Sequence, residues 1–242
     1  MLTRYLPIFV ILSLIAEILG TVGGFGSSVF FVPIANFFFD FQSVLGITAL
    51  FHLSSNVTKI AFFKKGLDKQ LILSLGIPAV IFVLIGAFFS KYFNPIILTY
   101  ILGFFLISLS LLFLIFKHLK VTPKTKNAII GGSLSGLSAG LLGTGGAIRG
   151  ITMAAFKLDK SKFIATSAVI DLGVDFSRSV VYYFNGYMHK EHLYLIPILI
   201  VVSILGTWIG KKILHKISQD QFRNFVLLLI LGIGIISVLF NN

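Results

Sequence analysis

The sequence predicts an all-α integral membrane protein built from two repeats. Three observations carry this. The chain has 242 residues, of which 57% are hydrophobic and only 12% charged, with a mean hydropathy of +1.01; soluble domains are about 45–50% apolar and about 25% charged. Long apolar runs recur from end to end, such as 96–116 and 225–240, and each approaches or reaches the roughly 20 residues that cross a bilayer core. Third, the sequence laid on itself with a shift of 120 matches Gly20, Gly23, Gly26, Gly66 and Gly86 to Gly140, Gly143, Gly146, Gly186 and Gly206 without a gap. With 9 glycines in the first half and 14 in the second, chance gives about one coincidence.

These observations exclude several classes. There is no cysteine, so disulfides, thiol chemistry and cysteine–metal sites are out. No cofactor or metal is expected. The formal charge of +12 is explained by lysines that fix membrane topology, not by nucleic acid as a partner. The first apolar run has a glycine cluster where a signal peptide would have its cleavage site.

The expected organisation is one membrane domain over 1–242, with repeat one at 1–116, a linker at 117–126 and repeat two at 127–242. Each half offers four apolar segments: 5–39, 45–63, 71–90 and 95–116, then 127–156, 162–184, 192–210 and 222–240. If every segment crosses once, the loop Lys and Arg divide nine to eight and no inside is defined. If the first segment of each half enters, turns at its glycines and returns, the division becomes 14 to 3, with only Arg4, Lys91 and Lys190 on the poor side. The positive-inside rule selects the second arrangement. Segments of 35 and 30 residues are too long for one span and short for two. Each repeat therefore holds a re-entrant or broken helix pair plus three transmembrane helices. An odd number of crossings inverts the repeats and puts both termini outside a multi-pass protein of the cell membrane.

The glycine breaks "LGTVGGFGSS" and "AGLLGTGGAI" are the first candidate site. Irregular backbone at membrane depth is tolerated only where it is buried in protein or lines a cavity. After each break a short helix begins, near Ser27 and Ala147, and a helix start attracts anions. Gly86 and Gly206, single and mid-helix, fit close packing instead.

Charge is the second signal. Outside the loops remain the cations Lys59, Arg149 and Arg178 and the carboxylates Glu17, Asp171 and Asp175. Ionisable groups in lipid are costly and mark pathways or sites. Thr48, His52, Ser55 and Lys59 form a polar stripe on the second segment, and Ser167, Asp171, Asp175 and Arg178 form one on the sixth. Arg149, three residues past Gly146, adds a full charge to a helix start. The expected anion ligands are Gly23, Gly24, Gly26 and Ser27 of the first break and Gly143, Thr144, Gly145, Gly146 and Arg149 of the second, with Lys59 and Arg178. Asp175 and Arg178, three apart, can also simply neutralise each other. His52, Asp171 and Asp175 are the candidates for proton coupling.

With clusters at Gly20, Gly23, Gly24, Gly26 and at Gly140, Gly143, Gly145, Gly146, and with Asn56 in the second segment, nearly the whole chain resembles the TauE/SafE family of sulfite and organosulfur-anion exporters. Phe25 stands where that pattern more often has glycine. The resemblance implies export of sulfite, a sulfonate or a similar small anion.

The expected function is secondary transport of a small inorganic or organic anion by alternating access in a lipid bilayer, with proton coupling as an extension and a homo-oligomer compatible. The alternatives are an intramembrane serine hydrolase using Ser27 or Ser28 with His52, and an ion channel. The "GSS" lacks the GxSxG elbow, and the second break has Ala147 and Ile148 in place of the serines.

Overall fold

The computed structural model describes residues 2–24, 26–63, 66–116, 121–214, 216 and 219–239. Among these residues there is helix and no strand. The first half gives α1 (Leu2–Gly23), α2 (Ser28–Ala35), α3 (Phe41–Phe62), α4 (Lys69–Ser90) and α5 (Pro95–Ile115). The second gives α6 (Thr125–Leu142), α7 (Gly146–Ala154), α8 (Lys160–Phe184), α9 (Leu195–Leu214) and α10 (Gln219–Leu239). Both halves thus run long, short, long, long, long. Residues 117–120 of the expected linker, and Lys64 and Lys65 of the loop tally, lie outside the described residues; Thr125 and Lys126 already belong to α6.

The boundaries follow local chemistry. Asp40, Asp68, Asn94 and Asp159 sit before α3, α4, α5 and α8, and each side chain accepts from a backbone N–H of the first turn, which satisfies donors the helix cannot. Pro95 opens α5, where its missing N–H costs nothing. A π-helical turn at Ile72–Gly76 precedes Pro78 in α4; the proline cannot donate to Ser74, and the widened turn absorbs that defect.

Among the described residues four helices have the length and apolarity of membrane spans: Tyr5–Gly23, Lys69–Ser90, Pro95–Ile115 and Leu195–Leu214. Exposed large apolar side chains cover their outer faces, for example Ile81, Phe88, Ile97, Phe104, Val201 and Trp208, as lipid contact requires. The protein is a multi-pass membrane protein. The charge-bearing α3 and α8 pack against each other at the centre, antiparallel, with Asn56 against Asp175 and Gly46 against Tyr187. Around them α1 packs on α9, α6 on α4 and α5 on α10.

In both halves the first segment reverses at its glycines. Gly20 lies against Ser27, and the Phe9 ring meets the rings of Phe31, Phe38 and Phe39 at centroid distances of 5.9, 5.3 and 5.2 Å, so α2 returns along α1. In the second half Ser135 lies against Gly145 and Gly131 against Thr152. The arms are unequal, 22 and 8 residues in one half and 18 and 9 in the other. The long arm α1 is roughly 33 Å, enough to span by itself, so the break comes at its end; composition alone could not divide a uniformly apolar run. Gly86 packs on the backbone of Leu137 and Gly140, and Gly206 on the side chain of Glu17, which is the close approach expected of both.

Candidate functional site

The site is built where the two breaks meet α3 and α8. α1 ends at Gly23, and Gly24 N–H bonds back to Gly20 O at 3.1 Å. α6 ends at Leu142 and is capped by Gly143, whose φ of +75° is a left-handed conformation that favours glycine. A methyl there would also come within 2.9 Å of Leu45. The breaks touch: Thr144 Oγ1 donates to Ser28 Oγ at 3.3 Å. Phe25 lies outside the described residues.

Neither short helix is capped by a side chain at its start. Gly145 has no side chain to offer. Ser27 has one, but its hydroxyl is spent elsewhere: it donates to Glu17 Oε2 at 2.5 Å. With that proton committed, Ser27 Oγ accepts from His52 Nε2, 3.1 Å away, and this sets the imidazole tautomer. Two helix starts, with no side-chain cap among the described residues, thereby meet at one space.

One pocket is lined by Gly26, Ser27, Ser28, His52, Ser55, Asn56, Lys59, Gly143, Gly145, Gly146, Arg149, Asp171, Asp175 and Arg178. A second pocket adjoins it through Gly26, Asn56, Lys59 and Asp171 and extends past Gly20, Thr21, Gly24, Ile164 and Ser167. Most of the expected site residues are thus brought together. Thr144 sits beside the pocket on Ser28, while Gly23 ends α1 and lines neither. The space is contracted, with room for about one water molecule.

Each of the three cations faces a carboxylate. Lys59 Nζ lies 2.9 Å from Glu17 Oε1. Arg149 pairs with Asp171 through Nη1, and its Nε donates to Ser167 Oγ at 2.9 Å. Arg178 Nη2 lies 2.6 Å from Asp175 Oδ1, the neutralising pair that their spacing allows. Its Nη1 donates to Ala139 O and Gly143 O at 3.1 and 2.8 Å. Arg178 therefore fastens the end of α6, while its buried Nε–H has no hydrogen-bond partner among the described residues. Lys59 and Arg178 reach the pocket already engaged; both stripes point inward as spacing predicts, with Thr48, His52, Ser55, Lys59, Ser167, Asp175 and Arg178 all buried.

Glu17, which the sequence marks as an intramembrane carboxylate without giving it a ligand role, is the hub of the site. It is fully buried and accepts from Ser55 at 2.7 Å and Thr207 at 3.0 Å besides Ser27. Asn56 donates to Asp175 Oδ2 at 2.7 Å. Ser135 holds Gly145 O at 2.8 Å and Tyr182 holds Gly140 O at 2.7 Å, which pins the second break. Shifted by 120, Ser135, Tyr182 and Thr207 fall on Ile15, Phe62 and Ala87, so the repeat gives no signal for them.

The chain is 28% identical to a "Probable membrane transporter protein" of Methanocaldococcus jannaschii, over 94% of this chain and 93% of that protein. No solved structure matches. This similarity is that of a membrane transporter, and the family model "Sulfite exporter TauE/SafE" matches residues 9–236: the chain belongs to the TauE/SafE sulfite exporter family.

Proposed function

We propose that this transporter carries a small anion, sulfite or an organosulfonate, by secondary transport. Two inverted halves rock about the shared pocket, with both termini outside. The observation that carries this is the meeting of the two breaks at Ser28 and Thr144, where two uncapped helix starts share one pocket with Arg149. Such a place favours negative charge. The unpaired Nε–H of Arg178 is a further donor. The helix partners support an inverted relation: α1 with α9 answers α6 with α4, while the equivalent pairs α3–α8 and α5–α10 run antiparallel. The contracted pocket corresponds to a closed stage of the cycle.

A binding screen of purified protein against sulfite, thiosulfate, sulfonates, carboxylates and phosphate tests the proposal. Arg149→Ala is expected to weaken anion binding about 10- to 150-fold, the worth of a charged hydrogen bond; unchanged affinity in that variant refutes the ligand assignment. The Ser27–His52 distance of 3.1 Å favours a hydrolase as second reading. Against it, the Ser27 proton goes to Glu17, not to the imidazole that would have to act as base. Ser27→Ala with Ser28→Ala separates the two: substantial flux remains in a transporter, and all activity disappears in a hydrolase.

A further inference from the structure

Three carboxylates stand at the site, and they are not held alike. Glu17 has 0% side-chain exposure and is fixed by Lys59, Ser27, Ser55 and Thr207. Asp175 has 4% exposure and is fixed by Arg178 and the Asn56 amide. Asp171 has 16% exposure, lines both pockets, and is bonded only to Arg149 among the described residues. Arg149 in turn is anchored through Nε to Ser167, so its terminal nitrogens can exchange partners while the side chain stays in place. A methyl on Gly26 would lie 3.4 Å from Arg149 Nη2, which puts that nitrogen at the first break.

Resting on the anion-transport proposal, we infer that Asp171 is a tethered competitor for the substrate: it occupies Arg149 in the empty site, and the anion takes Arg149 only when Asp171 leaves and binds a proton. Once displaced, an ionised Asp171 has no free cation to turn to among the described residues that line the pocket. Facing it are Lys59 and His52 from α3, Arg149 from α7, and Asp175 and Arg178 from its own helix, with Glu17 of α1 behind Lys59. Lys59 and Arg178 are already matched by Glu17 and Asp175. α4 and α6 carry their ionisable residues, Lys69 and Lys126, at their starts, with Lys124 just before α6, and none of these lines the pocket. An unpaired charge in such surroundings is strongly disfavoured, so the carboxyl is neutralised instead. The proton comes from water on the face the anion enters. An O–H bond forms on Asp171 as the ion pair opens, and breaks on the other face as the anion leaves and the pair re-forms. A proton therefore accompanies each anion.

The test uses full-length wild-type protein and a simple alkyl sulfonate, a strong-acid anion whose own charge does not change over about pH 5–8. The apparent Kd of the wild type is expected to rise with pH by up to about tenfold per unit, with proton uptake on binding measured by a pH indicator in weak buffer. Asp171→Asn is expected to bind at the top of the range as tightly as wild type does at the bottom, without slope or proton uptake; Asp171→Glu restores both. A wild type with flat affinity and no proton uptake overturns the inference, whether or not the asparagine variant folds. So does an asparagine variant that keeps the wild-type slope, which would transfer the role to His52. A wild type that binds none of the screened anions refutes the transport proposal itself.

Discussion

Lys59→Met breaks the ion pair that holds the most deeply buried carboxylate of the site. The lysine and Glu17 have side-chain exposures of 7% and 0% and lie 2.9 Å apart. At an effective dielectric of about 20 their attraction is about 6 kcal/mol before desolvation is counted. Removing the cation leaves the carboxylate, among the described residues, with hydroxyl donors only, from Ser27, Ser55, Thr207 and, at 3.4 Å, Thr21. Breaking a buried pair from one side costs about 3–5 kcal/mol. For a chain of this size that is a fall in melting temperature of roughly 6–20 °C. Adding Glu17→Gln removes the stranded charge while keeping one oxygen that can accept from Ser55, Thr207 and Thr21, which share Oε1. The double variant should recover more than half of the loss, a coupling of about 2 kcal/mol or more. Thermal unfolding of detergent-purified protein, followed by intrinsic fluorescence, reads all four members of the cycle. If Lys59→Met melts with wild type, or the double variant is no better than the single, Glu17 is not the ion-pair hub.

Three further outcomes are expected. Gly136→Ala places a methyl 2.1 Å from Ala79 O, whereas Gly232 has nothing within 4 Å; the first should cost about 1–3 kcal/mol and the second should gain about 0.5–1, and equal melting shifts for the two would contradict the tight α4–α6 crossing. Asp68 is held below the ordinary carboxylate range by the Leu71 N–H, against the effect of burial, with Lys162 also lowering it. Because its folded pKa is depressed, its stabilisation is complete above the unfolded value and disappears as pH falls through the folded one. Asp68→Ala should therefore cost about 0.5–2 kcal/mol as a lost cap near neutrality and less below about pH 4, measured as melting temperature against pH. Arg178→Lys cannot hold Asp175 and the carbonyls of Ala139 and Gly143 together; a loss of about 1–3 kcal/mol with weakened anion binding is expected, and wild-type values in both would separate Arg178 from the second break.

The amino-acid sequence by itself determined where the helices lie, where they break and which faces are polar. These are local matters. Apolar length, the steric freedom of glycine and the cost of charge in lipid are written residue by residue, and the period of 3.6 turns spacing into a face. Thus the breaks at Gly24 and Gly143 and the inward stripes of α3 and α8 were legible. Spacing could also pair Asp175 with Arg178, since both stand on one helix. The tertiary structure alone decided the rest. Lys59 could have answered Glu17, Asp171 or Asp175, and only the packing of α1 beside α3 and α9 gives it Glu17, with Thr207 from 190 residues away. Likewise only the meeting of α7 with α8 leaves Arg149 to Asp171. A face is fixed by one helix, but a partner is fixed by which two faces meet. That contact is made between segments far apart in the chain, where no periodicity reaches.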